Sequence, residues 1–170
     1  MNNPMLLPGQ RNITYELVEA TVNGSNEATI KFRILSDGVA LDITNLPQDL
    51  LDPGRYPGFL LAYALPQDGI DEPMDYNNIG GRAAQPLSLG LDGFSPIADE
   101  GPIGTMSFDA ASGVNTAVVT DEASQFPDGA TLRAVGLQGY LQQDIGDDTV
   151  SLHTPSAVIA ITGDSVRRTV

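Results

Sequence analysis

A single histidine, His153, stands in the 170 residues, so a Ser-His-Asp relay or an imidazole-bound metal would have to run through it. Its surroundings, "GDDTVSLHT", offer Asp147, Asp148, Ser151 and Thr154. Side chains this close along one strand stand roughly parallel or on opposite faces of the pleat and do not converge on one atom as a relay requires. The expectation is therefore a histidine at a strand end, bonded to backbone or solvent. Cysteine is absent. That removes thiolate metal sites, cysteine nucleophiles, disulfides and covalent c-type haem attachment from these residues.

The second candidate is the stretch "FLLAYALPQDGIDEPMDYNNIGG", residues 59 to 81, in which an apolar run gives way to Asp68, Asp71, Glu72 and Asp75, followed by Asn77 and Asn78. Several oxygen ligands on one loop suit a hard cation such as calcium, with Asp68, Asp71 and Asp75 as the carboxylates it would use. The spacing does not follow D-x-[DN]-x-[DN]-G, and Pro73 interrupts it. The expectation is a solvated loop whose Asp and Asn side chains satisfy turn backbone groups, with no metal, cofactor-binding or catalytic residue assigned. "GGR" at 80 to 82 is too short to cradle a phosphate. With 22 acidic residues in the chain, a pair of carboxylates carries no information about glycoside hydrolysis. Five tyrosines without a tryptophan make a poor carbohydrate platform, and Tyr63 lies in an apolar run that reads as core. "NIT" at 12 and "NGS" at 23 match the glycosylation pattern, with Asn23 read as a turn residue. An enzyme is not expected.

The elements that carry these residues read as strands. With 18 Gly and 12 Pro, few intervals could hold a long helix. In "ATIKFRIL", Ala28, Ile30, Phe32 and Ile34 share one face and Thr29, Lys31 and Arg33 the other. "ITYELVEATV" changes inward parity partway, which predicts a β-bulge near Leu17 or Val18, and Asn23, Gly24 and Ser25 join it to the next strand as a hairpin. "SDG" at 36 to 38 marks a turn before a short strand "VALDIT"; "PQDLL" starts a helical turn at Pro47 with Asn45 as cap. "FLLAYAL" lacks alternation and reads as a central strand covered on both faces. "QPLSLGL" alternates through Leu87, Leu89 and Leu91, and "GTMSFD" with "NTAVVT" forms a hairpin around Ser112 and Gly113. "DEASQF" forms one turn capped by Asp121, and "PDG" at 127 to 129 ends it. The longest strand is "ATLRAVGLQGYLQ", whose Gly136 and Gly139 suggest close backbone approach or a bulge. "TVSLH" and "SAVIAIT" complete about nine strands and one or two short helical turns. The predicted fold is an all-β, antiparallel Greek-key β-sandwich or split β-barrel of immunoglobulin-like size, with 1 to 170 as a single β domain.

Eight Lys and Arg against 22 Asp and Glu give a net charge of −14, a field that repels phosphate backbones and anionic membranes. Nucleic acid is not an expected partner. Nothing approaches the ~20 apolar residues of a membrane span, so no membrane insertion is expected. The opening "MNNPMLLPGQRN" has no basic n-region or apolar signal core, so an export signal would lie outside this chain.

Three stretches, "FLLAYALPQDGIDEPMDYNN", "ATLRAVGLQGYLQQ" and "LHTPSAVIAITGDSVRRTV", taken in order, resemble the non-haem β domain of OmcA/MtrC-type outer-surface multihaem (decahaem) c-type cytochromes. The resemblance runs from about Ile13 to Val170. It implies a Greek-key split barrel and a fragment preceding a haem-binding domain in a longer protein, since the counterpart of "GDSVRRTV", with its Arg167 and Arg168, leads there into the first C-x-x-C-H. It further implies haem c in the adjacent domain and a location outside the cell on the bacterial outer-membrane surface. Adjacent haem domains or other cytochromes, and a mineral or flavin at the parent protein, are the partners it implies. No C-x-x-C-H occurs here, so what carries over is an accessory role and not redox activity. The alternative is a free-standing bacterial surface β-sandwich for adhesion or ligand binding.

Overall fold

The run "ATIKFRILS" places an apolar side chain at every second position, and in the computed structural model it forms a strand with Ala28, Ile30, Phe32 and Ile34 wholly buried. The structure describes residues 6–51, 56–77, 79–80, 82–83, 87–90 and 103–164, with side chains of 79–80, 82–83 and 87–89 not described. In chain order the strands are β1 (Ile13–Val22), β2 (Ala28–Ser36), β3 (Val39–Ala40), β4 (Gly58–Ala64), β5 (Ile79–Gly80), β6 (Arg82–Ala83), β7 (Leu87–Gly90), β8 (Gly104–Asp109), β9 (Val114–Val119), β10 (Thr131–Gln138), β11 (Tyr140–Ile145), β12 (Asp148–His153) and β13 (Ala157–Ala160). Two short 3₁₀ turns, Gln48–Leu50 and Glu122–Ser124, are the helical elements among the described residues. Every strand pairing described is antiparallel.

One sheet runs β1-β2-β9-β8, with β3 also on β2; the other runs β13-β10-β4-β7. The chain passes from the first sheet to the second after β3, back before β8, and again to the second after β9. These crossings bring β2 beside β9 and β4 beside β10, the Greek-key kind of pairing that the turn spacing predicts. β11 and β12 form a separate hairpin, and β5 pairs with β6. The sheets meet edge to edge where Thr162 N–H, just after β13, donates to the Ala20 carbonyl of β1 at 2.8 Å. Between them lies one core: Phe32 of β2 meets Phe59 of β4 edge to face at 5.1 Å between centroids. Such a contact adds about 1 kcal/mol to the burial of both rings.

The turn chemistry is as the sequence predicts at several points. The β1–β2 register shifts between Leu17 and Glu19, which leaves Val18 as the bulge residue. Asn23 Oδ1 accepts from the backbone N–H of Ser25 and Glu27, at 2.9 and 3.0 Å. Asp37 and Gly38, at φ 53° and 84°, make the two-residue turn between β2 and β3.

Five expectations need correction. "ATLRAVGLQGYLQ" is not one strand: Gly139, at φ 100°, ends β10 and sends β11 into its own hairpin. Glycine suits this place, since φ 100° strains an L side chain and a Cβ would stand 3.1 Å from Pro57 Cα, closer than an ordinary contact. In β4 the alternation hidden by the apolar residues reappears, with Phe59, Leu61 and Tyr63 buried and Leu60 and Ala62 only half-buried. "VALDIT" is a strand for two residues only, because the fully buried Asn115 takes over its backbone, accepting Ile43 N–H at 3.0 Å and donating to Leu41 carbonyl at 2.9 Å. Asn45 does not cap the 3₁₀ turn; Pro47 holds that position, without a side-chain cap. Asp121 holds the corresponding place in the second turn, also without a cap to backbone, and accepts the Ser124 hydroxyl instead. Among the described residues there are ten strands of four residues or more, close to the nine or so expected, and three of two residues.

Candidate functional site: a cleft beside the acidic loop

The acidic loop is built by its own backbone. Asp68 and Gly69, at φ 51° and 77°, turn the chain so that Gln67 and Ile70 exchange two backbone hydrogen bonds of 3.1 and 2.8 Å. Aspartate followed by glycine suits this left-handed pair. Asn77 then closes the loop onto the end of β4: its Oδ1 accepts Leu65 N–H and its Nδ2 donates to the Leu65 carbonyl, both at 2.7 Å. Asp75 accepts the Tyr76 N–H at 2.8 Å. Asp68 and Asp75 are thus placed by separate local contacts, and among the described residues no group of three acidic or imidazole side chains is placed to hold a metal ion.

Beyond the tip of this loop lies a cleft of about 540 Å³, lined by Asp71, Glu72 and Met74 on one wall and by Thr131, Leu132, Arg133 and Asp164 on the other. The second wall carries an ion pair: Arg133 Nε and Nη2 reach Asp164 Oδ2 and Oδ1 at 2.8 and 2.7 Å. The guanidinium also lies 5.9 Å from the Phe126 ring centre. Hydrogen bonding from Arg133 holds the Asp164 carboxyl below its ordinary pKa, with burial working against it. Arg133 is raised in turn, first by that bond.

A second polar centre joins four segments at the far end of the sandwich. Arg11 grips Asp49 through Nε and Nη2 at 2.7 and 3.0 Å and donates to Ser36 Oγ at 3.1 Å. Gln143 of β11 accepts Arg11 N–H and donates to Asp49 and to the Gly9 carbonyl. On the open face of the first sheet, Glu16–Arg33 and Glu19–Lys31 pair directly across strands. All four basic side chains that the structure describes are therefore committed to carboxylates. An anionic ligand finds no unengaged cation among them.

His153 is exposed at the end of β12 and rests on Tyr140 of β11, with ring centres 4.8 Å apart. Tyr63 is core, edge to face with Phe126. Asn78, Leu91, Arg167 and Arg168 lie outside the described residues, as do the side chains of Leu87, Leu89 and Arg82. Sequence reading missed Arg11, Asp49, Gln143, Arg133 and Asp164, whose pairings span 31 positions or more. The one available signal was scarcity: with only eight basic residues among 22 acids, each has a carboxylate within reach on many possible folds.

The geometry defines a class of protein: an antiparallel two-sheet β domain whose described polar interior is satisfied, with no buried side-chain polar atom left unpartnered among the described residues. No family model and no curated protein matches the chain. Among solved structures, it is similar to the crystal structure of the outer membrane decaheme cytochrome OmcA, with a TM-score of 0.44 and 13% identity over 88% of this chain and 20% of that one. The chain spans about a fifth of the length of that cytochrome.

Proposed function

We propose that this chain is a non-catalytic accessory β domain of an extracellular multihaem c-type cytochrome of the OmcA/MtrC type, placed at the bacterial outer-membrane surface. The observation that carries the reading is where the three resembling stretches lie. They supply β4, β10 with most of β11, and the end of β12 with β13, and of these β4, β10 and β13 are successive neighbours in one sheet. The role is to space or shield haems carried by an adjacent domain, and to present a surface to another cytochrome, a mineral or a flavin. These residues hold no cysteine and attach no haem c themselves. Intact-mass and peptide mapping of the native polypeptide tests the reading: C-x-x-C-H repeats following Val170 after a short linker support it, and a native chain that stops there overturns it.

The cleft beside the acidic loop favours a second reading, a surface β-sandwich that binds a ligand. A ligand-dependent rise in melting temperature that is lost in Met74→Asp would support it. Titration of the native protein with oligosaccharides and with divalent cations that leaves the melting temperature unchanged removes it.

A further inference from the structure

β10 begins in an unusual conformation. Leu132 adopts φ 51°, a left-handed geometry that a bulky L-residue keeps only where its surroundings impose it. The register of β10 against β4 shifts at the same place, between Thr131 and Ala134. Leu132 is nonetheless buried, so this is not a loose surface turn.

The residue that follows is held on every side. Arg133 N–H donates to Asp164 Oδ2 at 2.9 Å, and its carbonyl accepts Ile161 N–H at 2.8 Å. Its guanidinium forks onto both oxygens of the same carboxylate. Asp164 is itself tied back, its N–H donating to the Ile161 carbonyl at 3.0 Å, while Thr162 is bonded across to β1. Four hydrogen bonds thus join one residue of β10 to the segment that leaves β13, next to a residue whose backbone favours another conformation.

We propose that Arg133–Asp164 is a conformational lock: it holds Leu132 in the left-handed region and so fixes the path by which the chain leaves β13 at the seam of the two sheets. When the lock opens, Leu132 returns to extended geometry, the bulge relaxes, and residues 162–164 leave β1. The lock stands on this geometry; its use in setting the angle of a following domain rests on the function proposed above.

A double-mutant cycle between Asp164→Ala and Leu132→Gly tests it, with Asp164→Asn as the milder variant should the alanine fail to fold. Lost burial of the leucine cancels in the cycle. If opening releases the strain, loss of Asp164 is partly compensated in the wild-type background but not where glycine has removed the strain. The folding constant then falls about tenfold more in the Leu132→Gly background, the size of the left-handed penalty for one L-residue. Hydrogen exchange at the Arg133 and Thr162 amides accelerates in the Asp164 variant while that in β2 is unchanged. Equal losses in both backgrounds, or unchanged exchange at Thr162, overturn the proposal; neither result bears on whether haem motifs follow Val170.

Discussion

Asn115 stands at the centre of the first sheet with no exposure at all, and its carboxamide replaces the strand partner that Leu41 and Ile43 lack. Asn115→Ala leaves one buried carbonyl and one half-buried N–H without partners. An orphaned buried group costs about 1–3 kcal/mol. The Leu41 carbonyl is deep, whereas Ile43 N–H is close enough to the surface to recover water, so the sum is about 2–4 kcal/mol. Asn115→Asp is the sharper test because it keeps the shape. Ionised, its carboxylate still accepts from Ile43 but faces the Leu41 carbonyl with a second acceptor, and burial disfavours the charge. Protonated, it donates to Leu41 as asparagine does. Its folded pKa is therefore raised above the unfolded value of about 4, and the sign follows: the variant approaches wild-type stability in acid and loses it as pH rises through the raised value. Urea unfolding followed by far-UV circular dichroism, with variant and wild type compared at each pH from about 4 to 8, reads the difference directly. A variant as stable as wild type at pH 7, or one whose deficit grows as pH falls, refutes the role assigned to Asn115.

Gly113, at φ 68°, would place a Cβ 2.8 Å from the Cβ of Ala40, so Gly113→Ala should lower stability by about 2 kcal/mol or more in urea unfolding. Gly38, also left-handed but with open space around it, should lose only about 1 kcal/mol as Gly38→Ala, and equal losses at the two sites would show that the Ala40 contact yields. At the other polar centre, the Arg11 hydrogen bond depresses the Asp49 pKa. Its contribution is present above the ordinary carboxylate value of about 4 and is lost as pH falls through the lowered one. Asp49→Asn should therefore be less stable than wild type by about 1 kcal/mol at neutral pH, with the gap closing in acid; a gap that widens in acid contradicts the pairing.

The pattern of what sequence made legible follows from the range of the interactions. Strand and turn signals act over a few residues, so the Val18 bulge, the Asn23 turn and the buried face of β2 could all be read in place. At Gly139 the close backbone approach could be read but the break of the strand could not, because it depends on Pro57, some eighty positions earlier. Likewise the end of β3 is decided by Asn115, 72 positions from Ile43. In "FLLAYAL" the residues are apolar on both parities, so composition concealed an alternation that packing restores. The metal question turned on the same distinction. Acidic spacing along the loop was visible, whereas where Asp68, Asp71 and Asp75 stand in space depends on the Asp68–Gly69 turn and the Asn77 closure.

The placing of charge bears on what such a domain can do. In an acidic chain of few cations, two of the four described basic residues lie on the open face of β1 and β2, where ion pairs stabilise by about 1 kcal/mol at most. The other two are less exposed and fork onto carboxylates. Arg11 fastens the segment that enters β1 to the 3₁₀ turn and the β11 hairpin, and Arg133 fastens the segment that leaves β13 to β10. Both therefore stiffen the places where the chain joins and leaves the sandwich, and each is engaged by a carboxylate. Here the strongest described polar contacts constrain the direction of the chain at both places.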